Sequence, residues 1–155
     1  MRQKNNGINM PFNFKMQKIL DYREQLEEEA KVRFADAQHR YEIAQQALDD
    51  IKTALELAQK KVQDNPLMSS AEFWINDQYI RGLEDDLTAA NMQLKIALQL
   101  KVEAQKILTI RAVDKKMLVK LKERQKAAWS HEEKLKEQHF NDEIATIRYK
   151  KAPAG

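Results

Sequence analysis

Ala37, Tyr41, Ala44, Leu48, Ile51, Leu55, Ala58 and Val62 follow one another in steps of four and three without a miss. That is a heptad seam. A period of 3.5 residues keeps an apolar stripe on one side of a helix only if the helix winds around a partner. A chain with this stretch must therefore place a second helix against residues 37–62. Where that helix lies, and what the pair touches, organises the rest of the reading.

The early part of the first helix carries Ile19, Tyr22, Leu26, Ala30, Phe34 and Ala37. From Leu26 to Ala37 the steps are four, four and three, which predicts a stutter before the strict heptads begin. Pro11 stops the helix from reaching back, and Asn13 is the expected N-cap. The first helix is thus expected over about residues 14–63, after a polar tail at 1–13 in which Met10 is a second candidate start. Asp64, Asn65 and Pro66 end it, with Asn65 expected in the left-handed cap. Ser69 with Glu72 three residues on makes a capping box for the next helix. This strong interior break, residues 64–70, is the expected hairpin tip.

The second helix is expected over about 71–149, with a tail at 150–155. Ile80, Leu83, Leu87, Ala90, Leu94, Ala97, Lys101, Ala104 and Leu108 repeat the heptad rhythm. The seam blurs from Ile110 to Val113 and resumes at Leu118 and Leu121. Short connections favour antiparallel neighbours, so residues whose numbers add to roughly 135 should meet: Val62 with Phe73, Leu48 with Leu87, Met16 near Val119. The fold class is then all-α, an antiparallel two-helix coiled-coil hairpin with the second helix the longer, about 115 Å at the helical rise. Its end, from about Leu121 to Tyr149, has no intramolecular partner. There Leu135, Phe140, Ile144 and Ile147 form a sparse apolar face suited to docking.

Composition agrees with long helices: 33% of residues are charged and only three Gly and three Pro occur. Cysteine is absent, which rules out disulfides and thiolate metal sites. No apolar run is long enough to insert directly into a membrane. Residues 16–100 carry 10 basic and 16 acidic side chains, and residues 101–155 carry 14 and 8. A charge gradient of this kind suggests different partners at the two ends.

No catalytic constellation is present. His131-Glu132-Glu133-Lys134-Leu135 starts like a zinc-protease motif, but Leu135 stands where the second His is needed. Ser69 and Ser70 are accounted for by capping, and paired acids such as Glu84-Asp85-Asp86 have no pocket to shift their pKa. The expectation is a non-enzyme with no metal and no cofactor. The basic run from Lys115 to Lys126 is interrupted by Glu123 and lies between seam segments, so nucleic acid is not an expected partner. Two features near the tip stand out. Phe73, Trp74 and Tyr79 crowd together, and a narrow seam cannot cover both Phe73 and Trp74, which point about 100° apart. Gly82 sits inside the helix at a cost of about 1 kcal/mol relative to Ala, which a kink, the close approach of another backbone or, equally, tolerated drift would explain.

Three stretches resemble one family. Phe12-Asn13-Phe14-Lys15-Met16-Gln17-Lys18-Ile19-Leu20-Asp21-Tyr22-Arg23-Glu24 is similar to the N-terminal signature of the FliJ family of flagellar type III export proteins. Trp74-Ile75-Asn76-Asp77-Gln78-Tyr79-Ile80 with Leu83 resembles its middle segment. Leu121-Lys122-Glu123-Arg124-Gln125, Trp129, Glu137-Gln138, Asp142-Glu143-Ile144-Ala145 and Arg148-Tyr149 resemble its C-terminal pattern. The resemblance implies a two-helix coiled coil similar to that of the rotary ATP synthase γ subunit. It implies a stalk that binds and stimulates the hexameric flagellar export ATPase, links it to the transmembrane export gate protein, and escorts export chaperones. It implies a monomer in the cytoplasm, peripherally associated with the inner membrane at the flagellar base. Trp74, Tyr79 and Leu83 would then meet the gate. Phe14, Leu20, Leu135, Phe140, Ile144 and Ile147, at the terminal end, would meet the ATPase. The rival reading from another class is a structural coil that self-associates through its overhang, or a general coiled-coil adaptor or chaperone.

Overall fold

The computed structural model describes residues 10–152. Residues 1–9 of the expected polar tail, and the last three residues, lie outside the described residues. Two helices make up the fold, α1 at Gln17–Asp64 and α2 at Ser70–Lys151. They pack against each other as an antiparallel coiled coil, with α2 much the longer at 82 residues against 48. The chain divides into two compact units, residues 26–112 and a terminal unit made of 1–25 with 113–155.

In residues 26–112 the seam lies where the heptads put it. All eight residues from Ala37 to Val62, and all nine from Ile80 to Leu108, are buried or half-buried. Two polar contacts mark the antiparallel register. Asn76 donates from Nδ2 to the carbonyl of Ala58 at 3.0 Å. The Lys101 ammonium sits over the Tyr41 ring, 4.7 Å from its centre, so a charged residue holds a seam position without leaving its charge bare. Val62 and Phe73 line the same small groove beside the tip.

At the tip the capping box forms in both directions. The Glu72 amide donates to Ser69 Oγ at 3.2 Å, and the Ser69 amide donates to the Glu72 carboxylate at 3.4 Å. The end of α1 differs from expectation. No described residue has a positive φ, so Asn65 does not form a left-handed cap. Instead Pro66 ends the helix, and the Met68 amide closes a turn onto the Asn65 carbonyl at 3.2 Å.

In the terminal unit Phe14, Leu20 and Leu118 are buried together, with Phe12, Met16, Val119 and Leu121 packed against them. The Phe12 and Trp129 rings meet at 6.0 Å in a tilted arrangement. Lys122 donates to Gln17 Oε1 at 2.7 Å, and the Arg23 guanidinium donates to the Asp114 carbonyl at 2.7 Å. The helix start expected at Phe14 falls at Gln17, because Phe14 to Gln17 is taken up by a turn in which the Gln17 amide bonds the Phe14 carbonyl. Asn13 makes no hydrogen bond among the described residues. Phe14 is thus free of helical geometry and turns its ring into the cluster.

Two expectations about the seam are corrected. Ile19 and Tyr22, expected in it, are exposed. The covered positions are Met16, Leu20, Arg23, Glu27, Ala30, Phe34 and Ala37, in steps of four and three. No stutter is needed. Likewise the seam of α2 does not blur after Leu108. It continues through Arg111, Lys115, Leu118 and Lys122, all at least half-buried, while Ile110 and Val113 stand outside it. Charged residues hold seam positions in both stretches, so a search that follows only apolar side chains slips to their neighbours.

Candidate interaction surfaces

The residues expected to touch partners fall into two groups. Trp74 and Tyr79 are 63% and 53% exposed, and Phe73 and Ile75 beside them are also more than half exposed. Both members of the Phe73-Trp74 pair therefore face out rather than one. Leu83, expected on the same surface, is instead 8% exposed. It occupies a seam position one heptad step beyond Ile80, and α1 covers it.

Phe14 and Leu20 are corrected in the same way. At 4% and 3% exposure they are the interior of the terminal cluster and have no surface to offer. They hold the start of α1 against Leu118 and so position what lies around it. Leu135, Phe140 and Ile147 are exposed and Ile144 is half-buried. Among the described residues, 134–151 have no hydrogen bond, ion pair or ring contact with α1. The segment expected to lie beyond α1 begins later than Leu121, since Leu121 packs on the cluster and Trp129 on Phe12. The signal missed was Phe12: it precedes the helix and has no periodicity to mark it.

Sequence reasoning also missed Asn76, which is buried and bonded to Ala58. It lies four residues before Ile80, in register with the seam, and a polar residue there selects one pairing over its slipped alternatives. Gly82 has nothing within 4 Å of where a Cβ would stand. No neighbouring group of this chain requires a glycine, and no kink is needed to explain it.

The electrostatics are those of solvated helix faces. Lys31 bonds Glu28 at 2.9 Å and Glu27 at 3.2 Å, and those hydrogen bonds raise its pKa above the usual lysine value. Arg40 pairs with Asp36 and Arg81 with Asp77, each at 3.0 Å and one turn apart. Among the described residues no His, Cys, Asp and Glu cluster could hold a metal ion, and no helix is long and apolar enough to cross a membrane. The grooves between and beside the helices are open troughs.

Fold and surfaces together define a helical coiled-coil protein that presents unpartnered apolar side chains near its tip and along its far end. The chain belongs to the flagellar FliJ protein family, whose model matches residues 12–154. Membership makes it a flagellar export-related protein. Among curated proteins and solved structures, nothing matches the chain.

Proposed function

We propose that this chain is a non-enzymatic stalk of the flagellar type III export apparatus. The end of α2 binds and stimulates the hexameric export ATPase. The tip half meets the transmembrane export gate protein, and the same protein escorts export chaperones. The observation that carries the reading is family membership across residues 12–154. The exposure of Trp74, Tyr79, Leu135, Phe140 and Ile147 supports it, since exposed aromatic and aliphatic side chains contribute binding energy out of proportion to their number.

In this reading Trp74 and Tyr79 contact the gate, and Leu83 holds the face that presents them. Leu135, Phe140, Ile144 and Ile147 contact the ATPase ring, with Phe14 and Leu20 as the packed base of that end. Lys134, Lys136, Glu137, Asp142, Glu143 and Arg148 surround the apolar residues. Exposed ion pairs contribute only about 0–1 kcal/mol each, so the apolar groups supply affinity and the charges supply register. The protein acts as a monomer in the cytoplasm, held at the inner membrane through its partners.

The test is a binding measurement with the purified cytoplasmic part of the gate protein and with the purified ATPase. Trp74→Ala with Tyr79→Ala should weaken gate binding at least about tenfold and leave ATPase binding and helicity unchanged. Gate binding that is indifferent to both substitutions contradicts the tip assignment. A mass in solution of twice the chain, lost on truncating α2, favours the self-associating structural coil.

A further inference from the structure

From Met92 to Val102 every second residue of α2 is large and apolar: Met92, Leu94, Ile96, Leu98, Leu100 and Val102. A spacing of two on a helix turns successive side chains by about 200°, so the six fall into two groups of three on opposite faces. Only Leu94 is in the seam. The other five are exposed. A helix with apolar side chains on two faces and a partner on one leaves the other uncovered, and α1 covers only the face that carries Leu94.

On one flank the two helices leave a groove of about 390 Å³. Its floor is small, since Ala37, Ala44, Ala97 and Ala104 all lie in the seam. Its walls differ in chemistry. α2 contributes Ile96 and Leu100, each about half exposed, and α1 contributes Arg33, Asp36 and Arg40. The lining runs over twelve positions of each helix, 33–44 and 93–104, which is about three helical turns or roughly 17 Å. Arg40 shares Asp36 with solvent in an exposed pair, a contact of little worth and readily exchanged. Arg33 has no ion-pair partner among the described residues. Acids outnumber bases in residues 16–100, so a wall of two arginines and one aspartate, net positive, is a local reversal of sign.

We propose that this groove receives one amphipathic helix of a partner protein. Its apolar stripe lies on Ile96 and Leu100, and its acidic flank faces Arg33 and Arg40. The alanine floor lets a third backbone come close, as interaxial distance follows the side chains at the contact. A three-turn trough between two helices has the form of a helix-in-groove site. A second copy of this chain is the poorer occupant. In a two-fold contact the same patch meets itself, which would set two net-positive walls against each other, the one acid of each, Asp36, being already paired with its own Arg40. The inference uses neither the tip aromatics nor residues 134–151, and so stands apart from the proposed ATPase and gate contacts.

The experiment uses the full chain and two model peptides of roughly 20 residues, capped at both ends and helical by circular dichroism. They share one leucine stripe, and one has a glutamate flank where the other has lysine. Fluorescence anisotropy should show the glutamate peptide binding at least about tenfold tighter than the lysine peptide. Arg33→Glu with Arg40→Glu should reverse that order. Ile96→Gln with Leu100→Gln should abolish binding of both while leaving the thermal midpoint unchanged, because neither side chain is in the seam. Equal affinity for the two peptides, no binding of either, or binding indifferent to Ile96 and Leu100 would overturn the proposal. So would a concentration-dependent dimer in sedimentation that the Ile96 and Leu100 substitutions dissolve, which would give the groove to a second copy.

Discussion

In the terminal unit large side chains converge on one point. Phe14, Leu20 and Leu118 are buried, Phe12, Met16, Val119 and Leu121 pack on them, and Trp129 closes over Phe12. In residues 26–112 the buried apolar set is Ala30, Leu48, Ala58 and Leu83, spread along the helices. Both regions are antiparallel helix pairs with the same heptad spacing. They differ in what adds to the pair. The terminal unit gains a third contributor, the segment before α1, whose aromatic residues reach α2. Residues 26–112 have two helices and nothing else, so a thin seam is covered and the flanks of α2 are left exposed. A two-helix coil buries a stripe, and a core needs a third segment.

If this contrast is right, deleting volume should cost most in the terminal cluster. Leu20→Ala is expected to destabilise by about 3 kcal/mol, within the range for a buried leucine that leaves a cavity. Thermal and urea unfolding by circular dichroism would measure it. The Leu20→Ala and Leu118→Ala losses should be non-additive, since the two residues share the cluster. Additive losses would mean that the cluster is not one packed unit.

In residues 26–112 the distinctive element is polar. Asn76→Ala should cost about 1–2 kcal/mol, as expected when a buried hydrogen bond to a carbonyl is lost. Asn76→Leu should recover stability while permitting alternative pairings, detectable as broadened amide spectra. A sharp single spectrum for Asn76→Leu would show that register is fixed elsewhere, by Lys101 on Tyr41 or by the tip.

Ser69→Ala should cost about 1 kcal/mol through loss of the cap, and Gly82→Ala should gain about as much, because the added Cβ meets open space. The two changes are of opposite sign on the same helix and can be read by thermal melts. The smallest effect is expected at Lys31. Its raised pKa means that its favourable contribution is complete below the ordinary lysine range and fades as pH rises through the raised value. The Glu28 partner is solvent-exposed but the Glu27 carboxylate is buried, so Lys31→Met should lower the melting temperature at neutral pH only slightly.

The parts of the fold legible in the sequence were those where apolar residues alone mark the period. Residues 37–62 and 80–108 are such stretches, and the Ser69–Glu72 box is a local signal with a local partner. The sequence misled where charge occupies the seam. Arg23 is tolerated there because its guanidinium finds the Asp114 carbonyl, and Glu27 because Lys31 reaches it along the same helix. Neither partner can be inferred from periodicity, so Ile19 and Tyr22 took their places. The candidate surfaces divide along the same line. Trp74 and Tyr79 are exposed because they lie off the heptad, whereas Leu83, Phe14 and Leu20 are hydrophobic residues that the packing covers. Apolar character marks a residue as seam or surface alike, and only the pairing tells which.

The central functional claim rests on residues 134–151, the stretch of α2 that makes no hydrogen bond, ion pair or ring contact with α1 among the described residues. A chain truncated after Glu133 keeps Leu118, Leu121 and the Phe12–Trp129 contact, and with them the terminal cluster. The measurement is ATP hydrolysis by the purified export ATPase with full-length or truncated chain added. The account predicts stimulation by the full chain and none by the truncated one, with equal binding of both to the gate's cytoplasmic part. Equal stimulation by both would contradict it and place the ATPase contact elsewhere on the molecule.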